Sequence, residues 1–238
     1  MFLFKHKKVV VDCFINDPSI AKLYPIKKSI HHVPKWWNDL EHNVAVPTEF
    51  GVDRPSPTMK TCTGFVYFFR DSWTLPLWTD IIVVTDKEGT YRYLCPRSMG
   101  NVVAQHPRYQ YMNGFNDRIH IKFNSPWRLC EKTGIRFVMM AADWTLIDKL
   151  PDIRVLPGFL NFKYLSATNI NCFFPLKDAE YKFEAGTPMT YLIPLTDKKV
   201  ELKTQVVTEV EYEKVTRQSS FYMNTFINGL QKWKSRND

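Results

Sequence analysis

A mainly β chain, a sandwich or β-clip-like barrel of roughly ten strands, is what this sequence predicts. Three observations carry that expectation. Short apolar runs alternate with polar residues, as at Ile119-His120-Ile121-Lys122-Phe123. Glycine-marked turns punctuate them, most clearly in Leu156-Pro157-Gly158-Phe159-Leu160-Asn161-Phe162-Lys163-Tyr164 and in Phe183-Glu184-Ala185-Gly186-Thr187-Pro188-Met189-Thr190-Tyr191-Leu192. Aromatic residues make up 15% of the 238 positions, with 17 Phe, 11 Tyr and 7 Trp, and such residues favour strands.

In chain order, residues 1–60 read as an extended leader with one short helix. Val9-Val10-Val11-Asp12-Cys13-Phe14 is a first strand, and residues 34–40 form a helical stretch with Pro34 at its first turn. Residues 46–59 contain Pro47, Pro55 and Pro57, which lack an N–H and hold φ near one value, so this stretch runs extended over the surface. Residues 61–207 form the β-rich core. Within it, residues 61–72 stay open between helix and strand. Phe65, Phe68 and Phe69 have helical spacing, and Thr61 is placed to cap. Residues 81–85 form a strand, Asp86-Lys87-Glu88-Gly89 a hairpin turn, and residues 90–94 the returning strand. Strands also cover 119–123 and 135–140, the latter after the turn Lys132-Thr133-Gly134, and about four more lie in 153–205. Residues 208–238 change period. Thr208 and Glu211 fit a capping box, and Tyr222, Phe226, Leu230 and Trp233 share one face of a terminal amphipathic helix.

The net charge of +8 sits at the two ends. Residues 1–35 hold seven lysines against Asp12 and Asp17, residues 213–238 carry five basic residues against two acidic ones, and the stretch between is neutral. A nucleic-acid groove built into the core would charge the middle as well, so nucleic acid is a possible but not favoured partner, and protein partners or a homo-oligomer are preferred. The apolar run at Met1-Phe2-Leu3-Phe4 is too short for a signal peptide or a membrane span. Five scattered cysteines, with no C-x-x-C pair, read as buried thiols in a reducing compartment rather than a zinc cluster. The expectation is a soluble protein of the cytoplasm or of a virion, with no cofactor.

No nucleophile elbow, P-loop or dinucleotide fingerprint occurs. His106 and His120, with Asp117 or Asp143, form a candidate iron or zinc site, although no acidic residue stands two positions after either histidine, and both also read as structural or surface residues. His120 falls opposite Ile119 and Ile121 in the alternation, hence toward solvent. His31-His32 beside Trp36-Trp37 fits base or sugar stacking, or an anchor for the leader. Trp127 and Arg128, at the end of Ser125-Pro126-Trp127-Arg128, are candidates for a pocket rim where Arg128 takes a carboxylate or phosphate, or form a turn with a covering Trp. Asp80, Asp117, Asp143 and Asp152 are unpaired carboxylates, and Asp143 stands out because its neighbour Trp144 supplies apolar surroundings.

The strings Ile121-Lys122-Phe123-Asn124-Ser125-Pro126-Trp127-Arg128, Glu131-Lys132-Thr133-Gly134 and Phe183-Glu184-Ala185-Gly186-Thr187-Pro188, with Leu75-Pro76-Leu77-Trp78-Thr79-Asp80, resemble an uncharacterised family of small proteins from tailed phages of marine bacteria with bacterial relatives. The resemblance covers roughly residues 30–205, implies a viral or bacterial origin and a β-rich domain, and brings no assigned activity. A second resemblance is to the dUTPase and dCTP-deaminase fold, through the segments at Gly158–Tyr164 and Gly186–Leu192 and through Pro96-Arg97-Ser98. It implies a nucleotide pocket joining Arg97, Ser98 and Tyr164. The position of the water-activating Asp is Asn161, an amide that is a poor general base. The leading expectation is therefore a non-enzymatic phage assembly or binding protein. A nucleotide-binding or nucleotide-processing protein is the alternative, and an iron-dependent oxygenase the third.

Overall fold

In the computed structural model, residues 8–96, 99–111 and 115–217 are described. The chain is mainly β, with 38% strand and 22% helix. Alternation is the cause. In β1 (Val9–Ile15) the residues Val9, Val11, Cys13 and Ile15 are buried while those between them are not. β6 (Ile81–Thr85) and β9 (Arg118–Phe123) show the same period.

The described strands form five sheets that do not close into a barrel. In the first, β1 lies between β10 (Arg128–Cys130), antiparallel, and β17 (Val200–Val206), parallel. The second runs β13 (Gly158–Leu160), β11 (Phe137–Ala141), β16 (Pro188–Pro194), β5 (Trp73–Pro76) and β2 (Lys27–Lys28), all antiparallel. The third runs β12 (Arg154–Val155), β14 (Ile170–Pro175), β9 and β8 (Val103–Gln105). In the fourth, β6 lies between β15 (Ala179–Phe183) and β7 (Tyr91–Leu94). The fifth is a two-stranded ribbon, β3 (Asn43–Val46) with β4 (Arg54–Pro57).

Aromatic side chains join the sheets. Phe123 of β9 meets Phe183 of β15 at 5.1 Å between ring centroids, and Phe174 of β14 meets Tyr181 of β15 at 5.2 Å. The stretch left open between helix and strand is helical: α3 (Thr63–Asp71) sets Phe68 and the fully buried Phe69 against Tyr191 of β16. Its N-cap is Cys62, without a side-chain capping bond, while Thr61 closes the preceding short turn.

Residues 8–60 do not form one extended leader. β1 is a central strand because its alternate residues are apolar and face the core. α1 (Pro18–Leu23) follows, capped by Asp17, whose carboxylate accepts from the N–H groups of Ser19 and Ile20. α2 (Lys35–Asp39) inserts Trp37 into the core. Only residues 43–57 stand apart, as the ribbon. At the far end, Thr208 and Glu211 exchange the capping-box hydrogen bonds at 2.9 and 3.4 Å, and a helix is described over residues 209–217. The face of Tyr222, Phe226, Leu230 and Trp233 lies outside the described residues.

Two turns depend on glycine. Gly134 (φ 82°) completes a turn organised by the buried Glu131, whose carboxylate accepts from Thr133 N at 2.9 Å, from Thr133 Oγ1 at 2.6 Å and from Gly134 N. Gly186 (φ 84°) leads into β16, and the preceding Ala185 N–H donates to Asp80 Oδ1 at 2.7 Å.

Candidate functional site

The residues expected to carry chemistry separate into structural parts and two unexplained surfaces. His106 and His120 do come together, with stacked rings 4.4 Å apart, because His106 N donates to His120 O and continues the β8–β9 pairing. His120 is not turned fully to solvent. It is half-buried, with Phe173 5.3 Å away and its Nε2 3.2 Å from Asn171 Oδ1. Burial, and then the charge of His106, hold its pKa below the ordinary imidazole range. His106 Nδ1 pairs with Gln110 Oε1 at 2.7 Å. Asp117 points instead to its neighbour Arg118, at 3.5 Å, and Asp143 belongs to a different part of the molecule. Among the described residues no group of three or more His, Cys, Asp or Glu is arranged to hold a metal.

Among the described residues, Trp127 and Arg128 serve the fold. Trp127 is fully buried, and Arg128 Nη1 donates to Ser125 O at 2.6 Å and to Trp127 O at 3.2 Å. The guanidinium lies 5.3 Å from the ring of Tyr212, whose hydroxyl donates to Pro126 O, so this segment fastens the terminal helix to β10. Arg97 and Ser98 lie outside the described residues. Tyr164 sits in a turn closed by Asn161, with Lys163 Nζ 5.6 Å from its ring. Asn161 serves that turn: its Oδ1 accepts from Lys163 N at 3.1 Å and its Nδ2 donates to Gly134 O. Asp80 holds the Gly186 turn, and Asp152 pairs with Lys177. Trp37 is the anchor and Trp36 the half-exposed partner, 5.6 Å from Trp144. The cysteines are all free thiols. Burial pushes Cys13 and Cys172 strongly up and Cys130 up to about 11, whereas Cys62 is exposed, contrary to the expectation of five buried thiols.

The first unexplained surface is the β3–β4 ribbon. Its base is clamped: Thr58 N donates to His42 O at 2.9 Å, and Lys60 Nζ donates to Asn38 O and Leu40 O at 2.8 and 2.9 Å. Its tip, residues 47–53, is a structured turn. Gly51 N donates to Thr48 O at 3.0 Å and Thr48 Oγ1 donates to Val52 O at 2.6 Å. That turn presents Phe50, 90% exposed, and Val52, 68% exposed. Neither was singled out by sequence reasoning, because one Phe in a Pro-rich stretch carries no periodic signal.

The second is a pocket of about 390 Å³ between α3, β11, β16 and the start of α4 (Asp143–Lys149). Phe65 packs edge-to-face on Trp144 at 5.0 Å and Phe68 on Tyr191 at 4.9 Å, which fixes the walls. Asp143 stands exposed at its rim, and Tyr191 is buried at its floor. Of these, only Asp143 and Trp144 were marked in the sequence as a site to inspect. No family model, curated protein or solved structure matches this chain.

Proposed function

We propose that this chain is a non-enzymatic interaction protein that works by binding a protein surface through its ribbon, with a second copy as the first occupant. The observation that carries the reading is Phe50, held almost fully in solvent at the tip of a turn ordered by its own hydrogen bonds. An isolated two-stranded ribbon gains little stability on its own in water. Burying one Phe against a partner contributes about 1.5–3 kcal/mol. The tip holds Glu49 and Asp53 and no lysine or arginine, which favours protein over nucleic acid. Pro55 and Pro57 remove two N–H donors from β4, so docking through side chains suits the ribbon better than extension of its ladder along that strand. The resemblance to a tailed-phage family supports an assembly setting for such a contact.

Light scattering of the full chain, beside Phe50→Asp, tests this. A discrete oligomer that Phe50→Asp converts to monomer is the expected result. An oligomer that Phe50→Asp leaves intact overturns the role of the ribbon. A monomer that turns over a deoxynucleotide overturns the non-enzymatic reading.

A further inference from the structure

The pocket between α3 and α4 has a composition that selects one chemistry. Among the described residues, four aromatic side chains, Phe65, Phe68, Trp144 and Tyr191, line it with Met140, and no basic residue does. Asp143 is the one charged group on its wall, and among the described residues it has no ion-pair partner. Aromatic faces attract cations and repel anions. A carboxylate at the mouth adds to that preference, most of all where water is partly excluded. Tyr191, at the floor, is 1% exposed, and its hydroxyl is closed to solvent and, among the described residues, has no hydrogen-bond partner. Burial, and then the negative charge of Asp143, push the pKa of that phenol up, so it adds no negative charge to the floor. The volume falls in the range of small-molecule sites, about 300–1,000 Å³.

We propose that this pocket binds a small organic monocation, a substituted ammonium whose apolar arm enters between Phe65, Phe68 and Trp144 while its charge faces Asp143. Nothing in this assignment rests on the ribbon, and the two readings stand or fall separately. A neighbouring pocket shares Ala141 and Asp143 but is lined mainly by aliphatic residues such as Leu146 and Ile153, with Phe183 as its one aromatic residue among those described and Arg154 beside the carboxylate, so it suits a cation less well.

The test uses the full chain with benzyltrimethylammonium and its neutral isostere neopentylbenzene, followed by tryptophan fluorescence and by the rate of maleimide labelling at Cys62. Cys62 is exposed and lies on the pocket wall, so an occupant shields it. The expected result is saturable binding of the cation, at least about fivefold slower Cys62 labelling at saturation, and about tenfold weaker binding of the isostere. Asp143→Asn, an exposed substitution, is expected to weaken the cation by about fivefold to tenfold and to leave the isostere unchanged. Trp144→Leu should weaken the cation while keeping an apolar wall. No saturable binding overturns the proposal. So does equal affinity for the isostere, indifference to Asp143→Asn or Trp144→Leu, or unslowed labelling of Cys62.

Discussion

Phe137→Ala tests the reasoning that ties alternation to burial. Phe137 opens β11, opposite Leu160 of β13 on one side and Pro194 of β16 on the other. Its side chain is 1% exposed and its ring packs 5.0 Å from that of Phe162. The neighbouring strand offers an internal control in Phe159, which faces outward at 67% exposure. Truncating a fully buried Phe forfeits its transfer free energy, about 1.5–3 kcal/mol, and leaves a cavity that the sheet cannot close. The two effects together cost about 3–5 kcal/mol. In a chain of this length each kcal/mol lowers Tm by about 2–4 °C, so Tm should fall by roughly 6–20 °C. Phe159→Ala should stay within about 0.5 kcal/mol of the parent. Urea unfolding followed by tryptophan fluorescence measures both. A loss below about 1 kcal/mol for Phe137→Ala, or comparable losses for the two variants, would refute the assignment of β11 to the core.

Two further outcomes are expected. Glu131→Ala removes a buried carboxylate that three donors of the Thr133–Gly134 turn share, and should cost about 1.5–3 kcal/mol in the same unfolding assay. Glu131→Gln should recover part of that loss, because an amide oxygen still accepts. His32 and His120 have folded-state pKa values held below the ordinary imidazole value, in both cases first by burial. The unfolded chain therefore binds protons that the folded chain refuses, and stability present above about pH 6.5 should decline as pH falls through and below that value. Thermal unfolding at pH 7.5 and pH 5.5 should show this decline, and His120→Gln should flatten part of it. An unchanged slope in His120→Gln would remove His120 from the account.

Much of the fold is legible in the sequence wherever one face of a strand meets water. β9 alternates in sequence as it does in burial, whereas β1, β6 and β11 are short, nearly continuous apolar runs rich in β-branched or aromatic residues, and alternation shows only in their burial. β5 has no such signal: all four of its residues are buried, between β16 and β2, so the pattern that marks a strand disappears. The sequence marks the ribbon only as extended chain, since Pro55 and Pro57 argue against a ladder and the register of Asn43–Val46 on Arg54–Pro57 is a tertiary fact. The site was hardest to see. Its walls come from residues 62–68, 140–144 and 191, which pair only through the sheet register that sets Met140 beside Tyr191. Asp143 next to Trp144 was its one local trace. Arg128 shows the opposite error: a residue type suited to anions is spent on backbone carbonyls and on the ring of Tyr212.

The parallel pairing of β1 with β17 also governs when this molecule becomes whole. Seven residue pairs, from Val9 with Val200 to Ile15 with Val206, join segments that lie nearly the full chain apart. A ribosome releases the first of them long before the second exists. Until then the β1 edge that β17 will occupy stays open, its apolar alternate residues without their final cover. Closing so long a loop is slow compared with forming hairpins such as β6–β7. Completion of this sheet thus waits for residues 200–206 to be made, and a chain stalled before residue 200 presents β1 as a ready template for another chain.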